Sequence, residues 1–215
     1  KNLNLFYNLS TTLEDNRRNK MYENQLKGES TKPSFVGIED YLTSLELKMT
    51  ISENDKSIIP RMSQLSQKTN QFNLTTKRYT ENDIKNFIDC QGVYVYTFSV
   101  SDKFGDSGIT GLGIISIFDD ICTAKIDTFL MSCRIIGRNI EYAFMDYIVK
   151  EIKNKKIKNL SAKYIKTRKN KQVEGFYDVC SFDVTSEDEL SISYVLKVNE
   201  YKSKKINYIE VISGK

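Results

Sequence analysis

The stretch from residue 123 to residue 165 constrains the fold of this chain more than any other. Strand patterns over 123–133 and 160–165 flank a segment with helical periodicity. The apolar positions of that segment share one helix face and are Ile140, Ala143, Phe144, Tyr147, Ile148 and Ile152. Two strands joined through a helix are parallel neighbours with a right-handed crossover, so both end at one edge of a sheet. Because open α/β sheets bind ligands at that edge and at helix N-termini, the sequence predicts a site near 133–139.

The other elements favour an α/β fold, a mixed sheet flanked by helices. Further strands are predicted over 45–51, 93–100, 109–118 and 190–198, and further helices over 58–72, from Thr80 onward and over 170–179. Thr80 followed by Asp83 predicts a capping box at the second of these helices. The order of the elements, with the site at the end of the strand over 123–133, resembles the GNAT acetyltransferase fold.

The first 45 residues differ from the rest. A polar, charged helix is predicted over 14–26, a linker with Gly and Pro over 28–37, and a short helix over 38–45. This segment is too polar to form its own core, so we expect 1–45 to be a helical linker and 46–215 to be the folded domain. The chain begins at Lys1 rather than Met, which suggests that an upstream region precedes it.

Composition excludes several kinds of site. The chain has no histidine, so it cannot contain a Ser-His-Asp unit or a histidine-rich metal site. Its four cysteines are far apart and form no CxxC pair, which favours reduced thiols over a disulfide framework, and we expect no metal. No apolar stretch is long enough to span a membrane and no secretory signal is evident, so we expect a cytoplasmic protein without a membrane partner.

Positive charge is concentrated in one part of the chain. The net charge is +4, but 150–171 carries ten basic residues against one acidic residue, Glu151, a local charge of +9. Such a stretch suits an anionic partner, either a phosphate-bearing cofactor, an acidic protein or nucleic acid, unless it is only a solvated helix end. Because aromatic side chains are not interleaved with the basic ones, nucleic acid is not favoured.

The turn after the strand over 123–133 reads Cys-Arg-Ile-Ile-Gly-Arg-Asn over 133–139. It is similar to the Q/R-x-x-G-x-G/A turn with which GNAT proteins bind the pyrophosphate of an acyl donor, and Asn139 departs from the final Gly or Ala. Unpaired N–H groups and the helix dipole favour an anion at a helix start. The resemblance implies phosphate contacts from Arg134, Ile135, Ile136, Gly137, Arg138 and Asn139. An ordinary helix start is the alternative.

Longer motifs resemble the FkbH-like proteins. Residues 126–141 read Ile-Asp-Thr-Phe-Leu-Met-Ser-Cys-Arg-Ile-Ile-Gly-Arg-Asn-Ile-Glu, which is similar to the family signature IDTFLLSCRVLGRGVE. Residues 64–80 resemble its QLxxKTNQFNLTTRRYT segment, and 102–108 its DRFGDNG turn. Residues 14–22 and 167–177 match two further motifs, and Ser181-Phe182 stands where the family reads Gly-Phe. The five motifs follow the family's order and span nearly all of the chain.

This resemblance implies both a function and partners. Full-length FkbH-like proteins have a phosphatase-like domain of the haloacid dehalogenase class followed by a GNAT-like domain. They transfer a glyceryl unit from bisphosphoglycerate, as a thioester, to an acyl carrier protein. The phosphatase half needs an Asp-x-Asp motif, which this chain lacks. We therefore expect an acyltransferase domain, covalently linked to the phosphatase-like domain in the full-length protein, that uses carrier-borne phosphopantetheine or acyl-CoA. A non-catalytic docking module and an acetyl-CoA-dependent N-acetyltransferase remain open.

Specific roles follow from the same resemblance. Cys133 would hold the glyceryl unit, since an adjacent helix start and two arginines favour a reactive thiolate. Tyr177 would protonate the departing thiolate, and Asn170 would cap a helix or contact the cofactor. Each also has a structural alternative, as a buried strand end, a core aromatic or a helix cap.

Two further groups of residues are expected to recognise substrates and partners. Asn70, Asn73 and Arg78 would bind the hydroxylated acyl group, unless they only hold the turn between two helices. A basic cluster would dock the acidic carrier protein through surface charge pairs that speed and orient encounter and weaken with salt. Its members are Lys163, Lys166, Arg168, Lys169 and Lys171.

Overall fold

A computed structural model describes residues 37–118, 120 and 122–214. These residues contribute nine strands to one mixed sheet. The strands are β1 Leu47–Glu53, β2 Phe72–Asn73, β3 Val93–Asp102, β4 Gly105–Phe118, β5 Thr123–Met131, β6 Asn159–Ile165, β7 Asp183–Glu187, β8 Ser191–Lys197 and β9 Ile209–Ser213. Their spatial order is β7-β8-β6-β5-β4-β3-β1-β9, with β2 paired to β5. The predicted mixed sheet is confirmed.

Five α-helices accompany the sheet in the described part of the chain. They are α1 Ile38–Ser44, α2 Ile59–Lys68, α3 Glu81–Asp89, α4 Ile140–Asn154 and α5 Phe176–Val179. The capping box predicted at α3 is present, since Thr80 accepts from the amide of Asp83 and the Asp83 carboxylate accepts from the amide of Thr80. None of the described helices is both long and apolar enough to cross a membrane.

The two faces of the sheet are covered by different helices. α2 and α3 pack on one face through Met62, Leu65 and Ile84. α4 packs on the other face, where Phe144 contacts the ring of Phe129 at a centroid separation of 5.2 Å. Successive strand residues point to opposite faces, and each face of the central strands is accordingly apolar. The helical face predicted for α4 is buried, except that Tyr147 is half-buried.

The predicted parallel pair of strands joined through a helix is confirmed, and it has an unexpected detail. β5 and β6 are parallel neighbours joined by α4, but they pair only from Thr123↔Asn159 to Lys125↔Ser161. Beyond that point they diverge, and β2 pairs with the end of β5. The amide of Leu74 donates to the Phe129 carbonyl at 3.2 Å. The carbonyl of Leu74 accepts from the amide of Ile165 at 2.8 Å. The segment 72–74 therefore fills the gap between the diverging strands.

Several sequence predictions differ from the structure. The helix expected over 170–179 is a 3₁₀ turn, Lys171–Val173, followed by the four-residue α5. β2, β7 and β9 were not predicted, because β2 has two residues and β7 is exposed along its whole length. β9 is an edge strand that pairs in parallel with β1. These short or exposed strands carry little periodic apolar signal.

The amino-terminal prediction is only partly covered by the described residues. The helix over 14–26 and most of the linker over 28–37 lie outside them. The short helix expected over 38–45 is α1, and Tyr41, Leu42 and Leu45 are buried in the main core. The division between 1–45 and 46–215 stays a prediction.

Candidate functional site

The turn 132–139 connects the end of β5 to α4. Cys133 begins a 3₁₀ turn and its side chain is exposed. Gly137 has a φ of 83° and Asn139 a φ of 61°, a conformation that glycine and asparagine adopt more easily than other residues. Asparagine at position 139, where similar turns have Gly or Ala, therefore adopts the left-handed backbone conformation of this turn without strain.

The same turn presents unpaired backbone donors. Within the described chain, the amide N–H groups of Gly137, Arg138, Asn139 and Ile140 donate to no protein oxygen. A Cβ built on Gly137 meets no atom within 4 Å, so the backbone there is open to a ligand. Successive free amides at the start of a fifteen-residue helix form an anion-binding arrangement.

Arginine and asparagine side chains of the turn are tied to neighbouring segments. Arg138 forms an ion pair of 2.7 Å with Asp102, and both side chains are mostly buried. Asn139 donates to the Tyr208 hydroxyl at 2.6 Å, and Arg134 donates to the Ser132 hydroxyl at 3.2 Å. Arg138 thus anchors the turn to the β3–β4 hairpin, and only part of its guanidinium remains for a phosphate.

A buried carboxyl group lies in the first turn of α4. Glu141 is 9% exposed, and its Oε2 has no hydrogen-bond partner in the described chain. Burial raises the pKa of this carboxyl above its ordinary value of 4.5, because a low-dielectric environment penalises the charged form. The folded state therefore holds its proton more tightly than the unfolded state does.

Replacing Glu141 with glutamine is expected to raise the free energy of unfolding by about 1 kcal/mol at neutral pH, since a buried carboxylate whose Oε2 has no hydrogen-bond partner is removed. Because folding raises the pKa of this carboxyl, its ionisation lowers the free energy of unfolding of the protein as pH rises above the ordinary value of 4.5. The gain should therefore vanish below that pH, which urea unfolding at acidic and neutral pH would measure. Glu189→Gln, at an exposed position, is the matched control, and an equal gain at both pH values would contradict the argument.

Tyr177 is not accessible at this site. Its side chain is fully buried among Phe182, Tyr194 and Phe176, and its hydroxyl has no partner in the described chain. Burial raises the pKa of the phenol well above its ordinary value, which keeps it protonated. A proton donor must also reach its acceptor, so the burial of Tyr177 favours the core-aromatic alternative, and the predicted acid role stays a prediction.

Asn170 also has a structural position. It is fully buried, and its amide nitrogen donates to the carbonyls of Asn73 and Ile165, both at 2.9 Å. Its oxygen accepts from the amide of Thr167 at 2.9 Å and from the Tyr164 hydroxyl at 3.2 Å. It forms no side-chain cap. The predicted side-chain cap is wrong, and the predicted cofactor contact stays a prediction, although the amide nitrogen of Asn170 joins β2 to the end of β6.

The three predicted substrate residues form hydrogen bonds that hold a turn. Asn73 is fully buried, donates to the Thr69 carbonyl at 3.3 Å and accepts from the amide of Thr76 at 2.8 Å. Arg78 donates to the Thr69 carbonyl at 3.0 Å and to Asn70 at 2.5 Å. These bonds match the structural alternative, and Asn70 and Arg78 alone keep exposed surface.

The predicted docking cluster is partly neutralised. Lys163, Arg168, Lys169 and Lys171 are exposed, but Lys166 forms an ion pair of 2.6 Å with Glu187. Two more acidic residues, at 188 and 189, follow directly in the β7–β8 turn. An acidic partner would therefore meet carboxylates beside this cluster, which weakens the electrostatic attraction.

A polar cluster on β5 was not singled out from the sequence. Asp127 is the extra residue of a bulge, since Ile114 pairs with Thr128 and Ile115 with Ile126. Its carboxylate accepts hydrogen bonds from the Tyr79 hydroxyl and from the Lys77 ammonium. It remains partly exposed, and burial together with Asp127 raises the pKa of Tyr79. Both partners belong to motifs in 64–80 and 126–141, which was the only sequence signal for the cluster.

Known proteins match this chain in fold only. No protein-family model and no curated protein sequence matches it. A Vibrio cholerae spermidine N-acetyltransferase gives a TM-score of 0.54 at 10% identity, over 71% of this chain and 95% of that chain. A Desulfovibrio desulfuricans protein assigned to the GNAT family gives 0.53 at 12% identity, over 70% and 99%. The chain has the GNAT fold.

A further structure with this fold was solved in complex with coenzyme A. It is the PaiA N-acetyltransferase of Thermoplasma acidophilum, with a TM-score of 0.54 at 14% identity over 69% of this chain and 98% of that chain. In the present chain, the free amides of 137–140 and the open space at Gly137 form an anion-binding arrangement at the same end of α4.

Proposed function

We propose that this chain is an acyltransferase domain that passes a glyceryl unit between Cys133 and the phosphopantetheine thiol of an acyl carrier protein. The observation that carries the proposal is an exposed thiol directly before a turn with free amides, at the end of β5 in a GNAT fold. The glyceryl unit and the carrier come from the resemblance to FkbH-like proteins. The upstream phosphatase-like domain of such a protein would supply the acyl group.

The chemical step is a thiol–thioester exchange that needs no further reactant. The Cys133 thiolate attacks the thioester carbonyl, the new Sγ–C bond forms, and the C–S bond to the phosphopantetheine arm breaks. The proton lost by Cys133 ends on the released arm thiol, and the reverse step loads the carrier. The turn would bind the phosphate of the arm through its free amides, which orients the thioester beside the thiol.

Intact-protein mass spectrometry tests the proposal. Wild-type chain incubated with glyceryl-carrier thioester is expected to gain one glyceryl mass, and Cys133→Ala is expected to gain none. Cys90→Ala is the matched control, since Cys90 is also exposed but lies at the end of α3. Buried Cys180, whose pKa is raised to about 12, should not compete. An adduct that persists in Cys133→Ala would refute the assignment, and no adduct with carrier binding intact would favour a docking module.

The polar cluster favours a second candidate, an acetyl-CoA-dependent N-acetyltransferase. Asp127 lies within β5 and Cys133 lies in the turn after it, six residues on, so the two candidate functions place the chemistry at different points of the chain. A carboxylate hydrogen-bonded by Tyr79 and Lys77 could accept a proton from an attacking amine. Transfer from acetyl-CoA to an amine that is lost in Asp127→Asn but retained in Cys133→Ala would establish this candidate.

A further inference from the structure

A groove runs between α4 and the C-terminal segment 198–213. It encloses a cavity of about 460 Å³. Much of its lining is apolar and comes from Ala143, Val149, Val198, Ile206 and Val211. A cavity of this size with an apolar lining is typical of binding sites, and the mechanism proposed above does not use it.

Lysines flank this groove on both sides. Lys150 and Lys153 line it from α4, and both are exposed. The opposite wall includes Ser203, whose neighbours at 202, 204 and 205 are exposed lysines. Among the described residues, no carboxylate forms an ion pair with any of these five lysines. The groove is therefore a positively charged surface with uncompensated charge.

One carboxylate lines the groove, and it is already occupied. Asp146 accepts from the Tyr201 hydroxyl at 2.5 Å, the Ser203 hydroxyl at 2.7 Å and the amide of Lys204 at 3.3 Å. These hydrogen bonds connect the segment that follows the 3₁₀ turn Val198–Glu200 to α4. Asp146 thus fixes the shape of the groove, and its single negative charge is outnumbered by the five lysines that flank the groove.

The groove leads towards the turn with free amides. Asn139 directly precedes α4 and donates to Tyr208, which belongs to the same C-terminal segment. At 1.5 Å per residue, Lys150 lies roughly 16 Å along the helix axis from Asn139. An extended phosphopantetheine arm spans a comparable distance, so a protein seated in the groove can place its arm at the turn.

We propose that this groove docks an acidic amphipathic helix of a partner protein. The inference rests on the proposed function, under which the partner is the acyl carrier protein. Apolar side chains of the helix enter the groove between Val149 and Val211, and carboxylates on its edges meet lysines on both walls. The Lys163–Lys171 cluster, beside the acidic β7–β8 turn, is the weaker surface. Charge pairs of this kind speed and orient encounter and weaken with salt.

Fluorescence anisotropy with a labelled, acidic holo acyl carrier protein of the bacterial type II kind tests the groove. The double variant Lys150→Glu/Lys153→Glu is expected to weaken binding about tenfold or more at low salt, because two attractive charges become repulsive. Lys163→Glu/Lys171→Glu is the matched control and should change the Kd less than about twofold. Val211→Asp, at an exposed lining position, should also weaken binding. An equal or larger loss in the control would overturn the proposal, as would unchanged binding in both groove variants.

A second substrate separates this proposal from the proposed function. Glyceryl-pantetheine is a small thioester that needs no docking surface. The groove variant should form the Cys133 adduct from glyceryl-pantetheine at the wild-type rate and from glyceryl-carrier about tenfold more slowly. Equal slowing with both thioesters would overturn the groove. If the wild type forms no adduct from either thioester, the proposed function is overturned. The anisotropy measurement then still tests whether the groove binds the carrier protein.

Discussion

Replacing Asn170 with alanine is expected to lower the free energy of unfolding by about 3 kcal/mol, because several buried hydrogen bonds are lost together. The side chain donates to the carbonyls of Asn73 and Ile165 and accepts from the amide of Thr167. These backbone groups would lose the partner that Asn170 provides, at buried or partly buried positions where a lost hydrogen bond is costly. Chemical denaturation without ligand would measure the loss.

The matched control for this change is Asn154→Ala, at an exposed residue that ends α4, which should alter stability by less than about 0.5 kcal/mol. If Asn170 instead contacts a cofactor, we expect the substitution to weaken coenzyme A binding and leave the stability unchanged. If Asn170→Ala kept its stability while coenzyme A binding weakened, the structural position described here would be insufficient and the sequence-based expectation would stand.

Replacing Gly111 with alanine is expected to lower the free energy of unfolding by about 3 kcal/mol, near the upper end of overpacking costs. A Cβ at this position would lie 1.8 Å from Cε1 of Phe98. The Phe98 ring cannot move easily, since it is fully buried and packs on Phe144 at a centroid separation of 4.6 Å. Thermal and denaturant unfolding of the purified variant would measure the effect.

Two further variants test whether the expected loss at Gly111 comes from a clash with the Phe98 ring. Gly175→Ala should be nearly neutral, since a Cβ there meets only an Asp178 oxygen at 4.0 Å. Adding Phe98→Leu to Gly111→Ala should recover part of the lost stability, because a smaller side chain vacates the space and the two positions are coupled. Additive losses in the double variant would mean that the Phe98 ring is not the obstacle.

The cysteines illustrate which parts of the site can be anticipated. The sequence left two alternatives for Cys133, a reactive thiol at a helix start and a buried strand end, and the structure shows an exposed side chain. Asn139 adopts a left-handed conformation, which asparagine tolerates better than most residues. The predicted turn between strand and helix is present, because turn conformation depends mainly on neighbouring residues.

Side-chain roles that depend on distant contacts were not predictable in the same way. Tyr177 and Asn170 occupy motif positions, yet both are fully buried. The Asp127–Tyr79 contact joins residues 48 positions apart. Periodicity and spacing describe one segment at a time, so they give no information on which polar atoms meet across the sheet.

The sequence by itself determined the α/β class, the parallel pair β5 and β6, the apolar face of α4 and the turn before it. These features follow from apolar periodicity and from the handedness of strand–helix–strand connections. Only the tertiary structure decided that 72–74 fills the gap between β5 and β6, that the bulge at Asp127 carries a polar cluster, and that a basic groove lies beside α4. The physical reason is that each of these arises where segments distant in the chain pack together, and packing depends on shape and hydrogen-bond geometry that no single segment encodes.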